Sequence, residues 1–301
     1  MHEDCGAQCL ITEGLLLLLR DTILVLPDNM AHQVLNHVVK LEALLVMANH
    51  KDHRVRSAVV KVLSSYMQRS SDEEINKFIR MRGFHHLANQ ISLFPASVNL
   101  VEDCLQLVTR CKISLDDQNF ISQFEFSSFE IACLPPLLAL LPRSVHDSSL
   151  ARNLISILKT IYCKDSTSAR VLMDNGLLEV LVKALVASAH VVPDVNDVSN
   201  QDLIIVDIHY FLIMITNQVL NTPGIHNMQI ITDIRLELNY VCRLEKEKCG
   251  VKARCVRVIR DTLCRLLERS LDSMQDKITA LQSLNKGKPS FFSSGMRLFL
   301  N

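Results

Sequence analysis

The chain has 301 residues with 32 basic and 32 acidic side chains, so no global electrostatic attraction to nucleic acid follows. Hydrophobic residues make up 49% and aromatic ones only 5%, with no tryptophan, so leucine, valine and isoleucine must supply the core. Eight glycines and eight prolines are too few for a fold that turns tightly every few residues, which favours long helices over sheets.

The first eight residues are acidic and lack a basic n-region, so no signal peptide is expected. A helical unit is expected to open at Gly14 and run through the leucines 15–19. The clearest periodicity follows Asp52. There Val55, Ala58, Val59, Val62, Leu63 and Tyr66 recur at the three- and four-residue spacing of one helix face. Ser71 and Glu74 have the spacing of a capping box, and Gly83 is expected to open the next unit. Val98, Val101, Leu105 and Val108 mark a further helix face. Residues 112–128 lack clear periodicity and read as an irregular connection whose phenylalanines tuck against neighbouring helices.

Further along, Leu150, Leu154, Ile157, Leu158 and Ile161 repeat the helical spacing. Asn175 and Gly176 end one helix and open another, and residues 190–200 read as an exposed loop. Ser199 and Asp202 form a weaker capping box. The apolar stretch from Leu203 to Leu220 nears the length of a membrane span. It contains Asp207, His209 and Asn217, which a lipid-facing helix would bury at high cost, so a packed helix is the better reading. A long amphipathic helix is expected between Val251 and Leu281, followed by a turn-rich, poorly ordered stretch from Asn285 to Gly295. Pro27, Pro95, Pro142, Pro193 and Pro223 are all expected between helices, where a missing backbone donor costs least.

Gly14, Gly83 and Gly176 share a pattern in which a glycine precedes apolar residues on one helical face, and this resembles the armadillo repeat. Their separations correspond to roughly two repeats each at about 40–47 residues per repeat. Asp52, Val55, Arg56 and Ala58 form D-x-x-V-R-x-A, which resembles the second helix of a HEAT repeat. That resemblance implies that Asp52 sits at a turn and Arg56 in the ladder that ties a repeat together. The expected fold is an all-α, armadillo/HEAT-like α-solenoid over residues 1–284, with a flexible tail over 285–301; an irregular globular helical bundle is the alternative. No single helix pair buries its apolar face, so neighbours must stack to complete the core.

The stretch from Leu35 to Cys111, including LNHVVKLEALLVMANHKDHRVRSAVVKVLSSYMQR, DEEINKFIRMRGFHHLANQISL and LVEDCLQLVTRC, is more specific. It resembles the armadillo-like region upstream of the BEACH domain in the large BEACH-family scaffolds. The resemblance implies a cytoplasmic scaffold associated with endosomes, lysosomes or related organelles, acting in vesicle size, fusion or fission. This chain contains no BEACH-like region and no WD40 repeats, so it reads as a fragment or a short isoform of such a protein.

The chemistry-bearing motifs are sparse. There is no G-x-S-x-G, P-loop, H-E-x-x-H or G-x-G-x-x-G, so no catalytic residues and no cofactor are expected, and the chain is read as not an enzyme. His50 and His53 form H-x-x-H and His85 adjoins His86, but no cysteines stand at paired spacing beside them, so no metal site is expected. The ten cysteines, at positions 5, 9, 104, 111, 133, 163, 242, 249, 255 and 264, include no C-x-x-C. Cys104, Cys163 and Cys255 are read on apolar helix faces, as reduced and packed thiols. Arg254, Arg257 and Arg260 lie at i+3 spacing in a basic stretch, which offers a second reading: a peripheral module that contacts acidic partners or anionic lipid. Protein partners of unstated identity are expected, and nucleic acid is not, because aromatic residues do not interleave the basic stretch.

Overall fold

In the computed structural model, residues 2–37, 39–115, 123–190 and 198–221 are described, with Ile230, Thr232, Asp233 and Leu236. Among them the regular structure is all α-helical. The helices are α1 (His2–Val25), α2 (Asp28–His37), α3 (Leu41–Met47), α4 (His53–Arg69), α5 (Asp72–Arg80), α6 (Gly83–Ile91), α7 (Val98–Thr109), α8 (Ser128–Ala132), α9 (Leu134–Ser144), α10 (Ser148–Lys164), α11 (Ser166–Asp174), α12 (Leu177–His190) and α13 (Val198–Asn221).

Six of the starts are set by short polar side chains that accept from the otherwise orphaned first N–H groups. Asp52 caps α4 through the Arg54 N–H, Ser97 caps α7 through Leu100, Asp147 caps α10 through Leu150, and Asp165 caps α11 through Ser168. The capping box expected at Ser71–Glu74 is present in both directions, and a second one joins Ser127 to Glu130 ahead of α8. The side chains of Ser199 and Asp202 lie outside the described residues.

The packing advances three helices at a time. Helix α1 packs on α4 and α4 on α7, while α3 packs on α6, α6 on α9, α9 on α12, and α10 on α13. Shorter helices fill the corners: α2 lies against α1 and α4, α5 against α6, α8 against α7 and α9, and α11 against α10 and α12. One apolar core runs through these contacts from Cys9 to Ile230. Helices α4 and α10 contribute most to it among the described residues, and α4 meets α1, α2, α3 and α7. All six periodic residues expected on α4 are buried, and so are Arg56, Ser57, Val60, Ser64, Ser65 and Met67, so the helix is covered around nearly its whole girth rather than on one face.

Several expectations are corrected. Gly14 opens no helix; α1 continues through it from His2 to Val25. A single interior glycine costs only about 1 kcal/mol relative to alanine, and the flanking leucines carry the helix past it. Gly83 is the first residue of α6, as expected, but the left-handed residue is its neighbour Arg82, at φ 55°. Gly83 is small for another reason: a Cβ there would run into the ring of Phe78. Gly176 does take the left-handed conformation, at φ 83°, in the turn before α12. Val98, the first residue of α7, is 43% exposed rather than buried with Val101, Leu105 and Val108. Pro142 lies inside α9, not between helices; it sits in the last turn, where the lost N–H removes one hydrogen bond near a terminus. Cys163 is exposed, with its Sγ 3.3 Å from Met214 Sδ.

Of the two irregular connections, residues 116–122 and 191–197 lie outside the described residues. The flanks of the first hold Phe124 edge-on to Phe126 at 5.1 Å, and Phe126 packs partly into the core. Pro193, Pro223, the helix expected over Val251–Leu281 and the stretch Asn285–Gly295 also lie outside them.

Candidate interaction surfaces

The D-x-x-V-R-x-A positions converge on the start of α4. The Asp52 carboxylate accepts from the Arg54 backbone N–H at 2.9 Å and pairs with the Arg54 guanidinium at 2.8 Å. The Arg54 side chain, foremost, holds that carboxyl well below the usual carboxylate range. His50 Nδ1 accepts from the Asp52 N–H at 3.0 Å, so this imidazole is engaged in shaping the turn. Val55 points into the core with no exposure.

Arg56 is buried, and desolvation lowers its pKa from the ordinary value. Its Nη1 donates to the carbonyl of His50 at 3.2 Å and its Nη2 to the carbonyl of Pro95 at 2.8 Å. The guanidinium also lies over the Phe94 ring at 5.2 Å. One side chain therefore ties the turn before α4 to the turn before α7. That is a brace between structural units 39 residues apart in sequence.

A second brace joins the bodies of the same helices. Ser57 donates to the Asp103 carboxylate, and Lys61 Nζ stands 3.6 Å from it. Burial raises the pKa of Asp103 against the opposing influence of those two partners. Sequence reading missed this pair. The available signal was an acid set among Leu100, Val101, Cys104, Leu105, Leu107 and Val108, since a buried carboxylate demands a partner.

The joint between α10 and α13 carries a different bridge. Arg152 Nε donates to Asp207 at 2.7 Å, Arg152 being exposed and Asp207 partly so. They border an open cleft of about 560 Å³ that also includes Asn153, Lys159 and Tyr210. Asp207, one of the residues that argued against a membrane span, thus has its counter-charge on the neighbouring helix. Among the described residues no helix is long and apolar enough to cross a membrane.

Helix α1 presents two apolar stripes. Cys9, Leu16 and Ile23 are buried against the core, while Leu10, Ile11, Leu15, Leu18 and Val25 are exposed.

Among the described residues no three His, Cys, Asp or Glu side chains converge in a way that could hold a metal. Burial raises the thiols of Cys104 and Cys133 well above the usual range, which keeps them protonated and poorly nucleophilic. Arg254, Arg257, Arg260 and Cys255 lie outside the described residues.

Over the described residues, these features define an all-α arrangement whose helices stack at intervals of three and are cross-braced by polar side chains. Its sequence resembles that of the lysosomal-trafficking regulators. Over 240 residues, 79% of the chain, it is 30% identical to the lysosomal-trafficking regulator of Homo sapiens. Over 176 residues, 58% of the chain, it is 30% identical to that of Drosophila melanogaster. The resemblance to the BEACH-family scaffolds read from Leu35–Cys111 therefore holds across most of the chain. The matched stretch spans 6% of the human relative and 5% of the fly one. No family model matches the chain, and no solved structure does.

Proposed function

We propose that this chain is a non-enzymatic, protein-interaction segment with an armadillo/HEAT-like solenoid architecture, and that it serves lysosome- or endosome-related vesicle trafficking and the control of organelle size. The similarity to the lysosomal-trafficking regulators carries the cellular half of this reading. The packing of α1 on α4, α4 on α7, α6 on α9 and α9 on α12 supports the architectural half, because a three-helix advance is what stacked armadillo units produce. A cytoplasmic scaffold of this kind works by presenting its ridges and clefts to partners.

Two measurements test the two halves. A compact sphere of this length has a radius of gyration of about 19 Å, so a solenoid must scatter X-rays with a clearly larger value; a radius near 19 Å sinks the solenoid. In cells that lack the protein, lysosome diameter is expected to change and to recover when the chain is restored. An unaltered size distribution removes the trafficking role.

A further inference from the structure

The row formed by α6, α9 and α12 carries an open groove of about 660 Å³. Arg82, Arg143 and Lys183 line it, one from each successive structural unit, with His85 and His86 beside Arg82. All five are exposed. No acidic side chain is among the described residues that line it. Lys183 is paired with Glu179 on its own helix at 2.6 Å, which is an exposed pair that water and salt weaken. The floor is apolar, made by Leu138, Val180 and Ala187 among others. Chain-wide neutrality makes a one-signed groove informative, because the charges are sorted rather than in excess.

We propose that this groove is a docking site for an extended acidic segment of a partner protein, with carboxylates meeting Arg82, Arg143 and Lys183 and apolar side chains between them resting on the floor. The proposal rests on the interaction-scaffold reading and names its surface. Packed helices lie about 8–10 Å apart, so crossing from α6 to α12 covers about 16–20 Å. At about 3.3 Å per extended residue, that is a segment of about five or six residues, too long for a single small anion. The cations line a concave cleft, into which a flexible chain fits and a lipid surface does not.

The experiment uses the full chain and a fluorescein-labelled peptide of alternating Glu and Leu, followed by anisotropy. Binding is expected to weaken at least tenfold in the double variant Arg82→Asn, Arg143→Glu, and to weaken with added salt. Asparagine suits the positive φ at residue 82. The far-ultraviolet helical signal of the variant is checked, and if it falls, Arg143→Gln alone is used, with a smaller loss expected. The triple variant Arg254→Glu, Arg257→Glu, Arg260→Glu is expected to keep groove binding. Three outcomes overturn the proposal: undiminished peptide binding by the groove variants, absence of peptide binding by the parent chain, or loss in those variants of binding to vesicles containing anionic lipid with no change toward the peptide. If groove variants leave other protein partners bound, the groove falls while the scaffold reading stands.

Discussion

Two joints of the stack do the same mechanical task with different chemistry. Between α4 and α7 the Asp103 side chain is 8% exposed and is held by Ser57 and Lys61, with the buried Arg56 bracing the adjoining turns. Between α10 and α13 the side chains of Arg152 and Asp207 are 44% and 33% exposed and rely on one ion pair. The first joint is built on two desolvated groups, Asp103 and Arg56, whose partners matter because a buried polar group left alone loses water without replacement. The second leaves its charges within reach of solvent, so packing of Ile204, Ile208, Phe211 and Ile215 must hold the helices together. One joint fixes geometry through polar specificity, and the other leaves its charged side chains accessible at an open cleft.

The sharpest way to break this contrast is at Arg56. Arg56→Met keeps much of the aliphatic bulk but strands the carbonyls of His50 and Pro95 without their donor. A loss of about 3 kcal/mol in urea unfolding is expected. A loss below about 1 kcal/mol would mean that those carbonyls reach water, and the two joints would then differ little.

The importance of Arg56 was partly legible in the sequence, and its partner was not. Asp52 and Ser71 announced helix starts, and the six periodic residues of α4 announced a buried face, because caps and helical spacing are local properties. The tie from Arg56 to Pro95 and the tie from Ser57 to Asp103 join residues far apart in sequence, so only the stacking reveals them. Glycine was misread where two causes compete. Gly83 is small to admit the Phe78 ring, while Arg82 takes the left-handed conformation usually credited to glycine. Gly14 has no such demand on it, and α1 runs through. The groove on α6, α9 and α12 was illegible because Arg82, Arg143 and Lys183 form no cluster in the sequence; the three-helix advance assembles them.

Asp103 gives a smaller effect with a distinctive pH signature. Its raised pKa, caused first by burial, means that the folded state holds the proton at pH values where the unfolded chain has released it. Stability from this group is fullest below the unfolded carboxylate pKa and declines as the pH rises through the folded value. Asp103→Asn retains an acceptor for the Ser57 hydroxyl and removes that decline. At neutral pH the variant should differ from the parent by about 1 kcal/mol or less, with the difference shifting in favour of asparagine as the pH rises from about 4 toward 7. Urea unfolding across that range checks it, and parallel profiles for the two proteins would show that Asp103 is solvated like an ordinary surface acid.

The smallest expected effect lies at the other joint. Arg152→Ala removes an ion pair that water already competes for, so about 0.5 kcal/mol or less should be lost. Because the pair is exposed, raising the salt should shrink even that difference, whereas the Arg56 effect should persist, its donors being screened from ions by burial. A double-mutant cycle of Arg152→Ala with Asp207→Ala isolates the pair itself. A coupling that salt leaves unchanged would mean that the exposed pair behaves like the buried network, and the division between a fixed joint and an open one would have to be given up. A weak, salt-sensitive coupling would place the strength of the α10–α13 joint in its apolar contacts, leaving Arg152 and Asp207 available to a partner at the cleft.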